Sequence, residues 1–157
     1  MFVRVKKIKG KPYAYLVENE WTPWGSRQRV TKYLGKTSTL TRYSEGLSDL
    51  PKGMQEAILE ATAQELTNHG FAREGNVLKQ EDIIVDLQER TVRQKSKKIV
   101  LEMNEGYLCD HTLQQLLTFV PEERPDESAK KLATLTLGAG LKLSNEQFVH
   151  LFEQVKQ

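Results

Sequence analysis

The first thirty-six residues alternate in side-chain character and are cut by turn-forming residues at the spacing of a short antiparallel sheet. Phe2 to Ile8 alternates and ends at Lys9-Gly10-Lys11, a turn signal. Pro12 can open the next strand, because a residue at that position need not donate to the ladder. Pro12 to Asn19 is rich in aromatic and β-favouring residues. Thr22-Pro23-Trp24-Gly25-Ser26 reads as a connecting loop, and Arg27 to Leu34 as a third strand stopped by Gly35.

A two-residue turn at Gly10 and Lys11 sets Lys9 opposite Pro12, Ile8 opposite Tyr13, Lys6 opposite Tyr15 and Arg4 opposite Val17. Successive side chains point to opposite faces. The simplest assembly turns Val3, Val5, Ala14, Leu16, Val30 and Leu34 towards a core. It leaves Arg4, Lys6, Tyr13, Tyr15, Arg27, Arg29 and Tyr33 as an exposed basic and aromatic surface. The reverse assembly, with Phe2, Ile8, Tyr13, Tyr15 and Val17 inside, stays open, since a one-residue slip exchanges the faces.

Charge follows the same division of the chain. Residues 1–43 hold ten Lys/Arg and two acids, a net +8, whereas residues 44–157 hold 13 bases and 19 acids, a net −6. Seven of the twelve aromatics also fall before residue 44. Cations interleaved with rings suit nucleic acid: the cations neutralise phosphates, and the rings stack on bases or sugars. A basic module over 1–43 and a body over 44–157 are therefore expected, the body folding by itself from about residue 51.

The run Phe2-Val3-Arg4-Val5-Lys6-Lys7-Ile8-Lys9-Gly10-Lys11, then Tyr13 to Glu18, then Arg27-Gln28-Arg29 and Lys32-Tyr33-Leu34-Gly35-Lys36, resembles the N-terminal segment of a group of insertion-sequence transposases with an acidic catalytic triad. It is also similar to the openings of short archaeal proteins. The resemblance covers residues 2–36 and implies a β module that contacts nucleic acid. It does not imply transposition, because the rest of the chain is too short for the ribonuclease H-like catalytic domain of those enzymes.

Beyond the module, Thr37 to Asp49 reads as a linker or loop. Leu50 to Asn68 reads as a helix with Met54, Ile58, Leu59, Ala61 and Leu66 on one stripe and Gly70 as its stop. Ile83–Leu87 and Lys98–Met103 read as strands. Between them, Arg90 to Lys98 holds five bases, either a second basic arm or a solvated hairpin loop. Asp110 is placed to cap a helix over 111–119, and Asp126 to start another containing Leu132, Leu135 and Leu137. Ser144 and Gln147 fit a capping box for a last helix with Phe148, Leu151, Phe152 and Val155 on one face. The fold class is α+β.

Catalytic patterns are weak. His69, His111 and His150 lack ligand spacing, and Cys109 is the only cysteine, so neither a disulfide framework nor a four-cysteine zinc site is available. Asp82, Asp86 and Glu102 on adjacent strands are the sole hint of a metal-dependent nuclease. No run of about 18–20 apolar residues is present to span a bilayer, and charge interrupts the first apolar residues at once. A cytoplasmic protein without cofactor or metal is expected.

The function expected is non-enzymatic nucleic-acid binding, with double-stranded DNA favoured over RNA. The candidate residues are Arg4, Lys6, Tyr13, Tyr15, Arg27, Arg29 and Tyr33 on the sheet, Lys9 and Lys11 at its turn, Trp24 in the loop, and Arg93, Lys95 and Lys97 in the second basic stretch. The C-terminal helices are the expected contact for a second copy or a protein partner. The alternatives are a protein–protein adaptor, an RNA- or ribosome-associated factor, and a small nuclease.

Overall fold

The computed structural model describes residues 1–47 and 49–155, and the side chain of Val155, expected on the face of the last helix, lies outside the described part. Strands β1 (Phe2–Ile8), β2 (Lys11–Thr22) and β3 (Gly25–Thr39) pair antiparallel in chain order. Helix α1 (Met54–Asn68) follows. A meander of short strands comes next: β4 (Ala72–Glu74), β5 (Val77–Gln80), β6 (Ile83–Asp86) and β7 (Thr91–Gln94). Strands β8 (Lys97–Met103) and β9 (Gly106–Leu108) precede the helices α2 (Asp110–Leu117), α3 (Pro125–Gly138) and α4 (Asn145–Val155). The strands join in the order β1-β2-β3-β8-β7-β6-β5-β4, with β9 also paired to β8. The architecture is α+β, with the sheet antiparallel except where β3 runs parallel to β8, from Lys36 beside Ile99 to Thr39 beside Glu102.

The first hairpin corrects the predicted register. Its turn is Lys9-Gly10, both at positive φ (53° and 78°), so Arg4 faces Tyr15 and Lys6 faces Tyr13. Each partner moves by two residues, which keeps every side chain on its predicted face. The second hairpin departs further. The predicted loop over 22–26 is a two-residue turn at Pro23-Trp24, and β3 runs on through Gly35. A Cβ at Gly35 (φ 142°) would stand 2.9 Å from the carbonyl oxygen of Lys98, so glycine here lets β8 approach.

Two residues of β3, Thr31 and Leu34, are left over in the β2–β3 ladder as bulges. The bulge at Thr31 reverses the faces towards the tip. Arg27 and Arg29, predicted beside the tyrosines, pair with Glu20 and Glu18 on the opposite face. Val30, predicted in the core, lies across from Val17 and is 45% exposed.

The larger core is built on Ile58, Leu66, Leu78, Val85, Leu101, Leu113, Leu132 and Leu151. A smaller cluster joins Ala14, Leu16 and Leu34 to Val100 and Cys109, with Val3, Val5 and Tyr107 packed against it. Five of the six predicted inward residues of the module thus pack together, against side chains from the body.

The predicted linker over 37–49 is partly structured. Thr37–Thr39 complete β3, the Leu40 N–H donates to the Glu102 carbonyl (2.9 Å), and the Tyr43 N–H donates to the Asn68 carbonyl (2.8 Å). Arg42, counted in the basic segment, is largely buried with its guanidinium 3.7 Å from the buried carboxylate of Glu65. That carboxylate also accepts a hydrogen bond from the Asn104 amide (2.7 Å), which ties the segment to α1 and the β8–β9 turn.

The stretch 90–98 is not an arm or a loop: it holds β7, a tight turn at Lys95-Ser96 and the start of β8. Asp110 is the first residue of α2 rather than its cap. The cap position is Cys109, whose N–H donates to the Thr112 hydroxyl (3.0 Å). The box at α4 forms as predicted, with the Gln147 N–H donating to Ser144 Oγ (3.1 Å) and the Ser144 N–H to Gln147 Oε1 (3.2 Å). Among the described residues no helix is long and apolar enough to cross a membrane.

Candidate nucleic-acid interface

Strand β2 keeps its alternation without a bulge, so Tyr13, Tyr15, Val17, Asn19 and Trp21 share one face. Their partners on β3 are Lys36, Tyr33, Val30, Gln28 and Ser26, and β1 adds Lys6, Arg4 and Phe2 opposite Tyr13, Tyr15 and Val17. The three tyrosines form one cluster. Tyr33 lies 5.3 Å from Tyr15 and 6.4 Å from Tyr13 between ring centroids, both pairs tilted. Lys6 Nζ stands 5.6 Å from the centre of the Tyr15 ring, a cation–π distance. Partial burial, and then the neighbouring Tyr15 and Tyr13, push the Tyr33 hydroxyl above its usual range, so it stays neutral and able to donate at physiological pH.

Beside Tyr33 the parallel pairing of β3 with β8 opens a cleft of about 560 Å³. It is lined by Tyr33, Lys36, Asp82, Gln94, Lys95, Lys97, Lys98 and Ile99. Asp82 accepts a hydrogen bond from Gln94 (3.0 Å) and lies 3.9 Å from Lys95 Nζ. Among the described residues Lys36, Lys97 and Lys98 have no acidic partner. The cleft therefore holds several free ammonium groups against one aromatic face.

The other candidate residues are distributed as follows. Arg4 bonds the side-chain oxygen of Gln28 across β2. Lys9 and Lys11 are exposed at the β1–β2 turn, the end of the module away from Trp24. Arg27 and Arg29 are exposed but neutralised by Glu20 and Glu18. Arg93 is engaged by Asp110, with Nη1 2.6 and 2.7 Å from the two carboxylate oxygens. Trp24 stands at the tip of the β2–β3 hairpin at 95% exposure, and Trp21 beside it at 85%.

Sequence reasoning did not single out Lys36, Lys98 or Trp21. Lys36 follows the glycine read as a strand end, and Lys98 meets it only through a pairing between segments some sixty residues apart. Trp21 did carry a usable signal, since it continues the odd-numbered positions of β2 from Tyr13 and Tyr15.

The acids and histidines singled out from the sequence make local contacts. Asp86 Oδ1 accepts from the N–H groups of Gln88 and Glu89 (3.0 Å each), closing its own turn. Asp82, Asp86 and Glu102 are not on adjacent strands, because β7 separates β6 from β8 and Asp82 precedes β6. Among the described residues no three His, Cys, Asp or Glu side chains converge as metal ligands. His69 contacts the Glu65 carbonyl (2.8 Å), and His150 that of Pro51 (2.8 Å). Burial, and then Lys32, hold the His111 imidazole below its usual range. On the C-terminal helices, Leu137 and Val149 are exposed beside a groove also lined by Leu141, Leu143 and Phe148. Comparison of the chain with protein-family models, with curated proteins and with solved structures finds no match.

Proposed function

We propose that this protein binds nucleic acid across the tyrosine face of its N-terminal sheet and the adjoining lysine cleft. The observation that carries the reading is the position of Tyr33, which touches Tyr15 and Tyr13 on one side and lines the cleft with Lys36, Lys97 and Lys98 on the other. Ammonium groups without acidic partners neutralise phosphates with little loss of existing interactions, and neutral rings beside them offer surfaces for bases or sugars. The favoured duplex DNA would be gripped through Arg27 and Arg29. Both lie on the other face and are already paired, so the proposal covers nucleic acid as a class.

The test is a titration of labelled DNA and RNA heteropolymers at low ionic strength. Saturable binding that weakens with salt supports the reading. Lys36→Ala with Lys97→Ala should weaken it about tenfold, while Lys7→Ala with Lys9→Ala changes it less. Absence of any salt-sensitive binding overturns it. Cleavage abolished by a chelator would indicate a nuclease instead.

A further inference from the structure

We infer that the hairpin tip carrying Trp21 and Trp24 is a second contact point for the same strand, and that the nucleic acid bound is single-stranded or locally unpaired. This rests on the nucleic-acid reading above and adds the substrate class. Trp21 and Trp24 are 85% and 95% exposed, and neither ring meets another aromatic ring or a cation among the described residues. Such large apolar surfaces at a tip are stable in water but gain free energy when a flat partner covers them.

The partner is fixed by what shares the side of the sheet on which Trp21 lies. Trp21 lies on the same face as Tyr13, eight residues along β2, roughly 26 Å at about 3.3 Å per residue. Lysines stand at the Tyr13 end of this track, where Lys36 pairs with Tyr13 and Lys6 lies over Tyr15. Arg4, opposite Tyr15, adds to that end, since its hydrogen bond to the neutral Gln28 amide leaves its charge in place, whereas Arg27 and Arg29 nearer the tip lie on the other face and are held by their glutamates. Phosphates are thus attracted at one end and rings are offered at both. In a duplex the faces of the bases are already stacked on one another, so such rings find no partner there. Unpaired bases leave their faces open, and stacking on aromatics tolerates any sequence.

Trp21 and Trp24 are the only tryptophans in the chain, so its indole emission reports on the tip alone. The experiment follows binding of end-labelled single-stranded oligo-dT of about 15 nucleotides by anisotropy and, in parallel, the tryptophan emission. The expected result is quenching that saturates with the anisotropy, and a duplex of equal length bound at least about tenfold more weakly. Trp21→Ala with Trp24→Ala should weaken oligo-dT binding at least about fivefold with an unchanged melt, since both rings are exposed. Oligo-dT binding without any change in emission, or a duplex bound as tightly, overturns this inference and leaves the proposed function standing. A blue shift on anionic phosphatidylglycerol vesicles but not on oligo-dT also overturns it, in favour of a lipid surface. No binding to any nucleic acid overturns both.

Discussion

Tyr15 and Tyr33 face each other across β2 and β3 with ring centroids 5.3 Å apart, although Leu34 interrupts the ladder immediately beyond them. The bulge brings Tyr33 into line with Tyr15 and lets Leu34 reach the core at 5% exposure. If the tyrosine ring itself makes the contact, Tyr33→Phe should bind single-stranded DNA within about twofold of the wild type. Tyr33→Ala should lose about fivefold or more, the loss of one stacked base. Equal losses in both variants would assign the role to the hydroxyl. Thermal melts should separate either effect from folding.

Arg93 sits in a cationic stretch but is bound to Asp110, which also accepts the Val92 N–H (2.8 Å). Both side chains are about 30% exposed, so the pair joins β7 to α2 in a partly desolvated setting. Arg93→Ala is expected to lower stability by about 1–2 kcal/mol. The salt dependence of nucleic-acid binding should not change. Denaturant unfolding and a salt titration of the same variant check both halves.

What was legible in the sequence was local. The β1 and β2 alternation survives a turn displaced by one residue, because partners shift by two and parity is kept. Ser144 and Gln147 meet because a capping box spans three residues. The bulge at Thr31 left no such mark: β-branched Val30 suits a core strand as well as an exposed one, and one extra residue sent Arg27 and Arg29 to the other face. The cleft was hidden for a different reason. Lys36 and Lys98 are brought together by the parallel β3–β8 pairing, and no periodicity within either segment specifies its partner.

The fully buried residues of the larger core all lie between Ala57 and Leu151. A fragment of residues 44–157 should therefore melt cooperatively. It should do so at a lower temperature than the whole chain, since re-exposing the fully buried Val100 costs about 1.5–3 kcal/mol. A fragment without a cooperative transition would show that Ala14, Leu16 and Leu34 complete a core the body cannot form without them. Circular dichroism against temperature decides between the two.

The most direct test of nucleic-acid binding at the lysine cleft is the slope of log affinity against log salt for a single strand. Each neutralised phosphate contributes about 0.7 to that slope. Replacing Lys36, Lys97 and Lys98 together with Ala should reduce it by about 2, while Arg27→Ala with Arg29→Ala leaves it nearly unchanged. Wild-type binding with no salt dependence, or a slope lowered by the arginine variant and not by the lysine variant, would contradict the account.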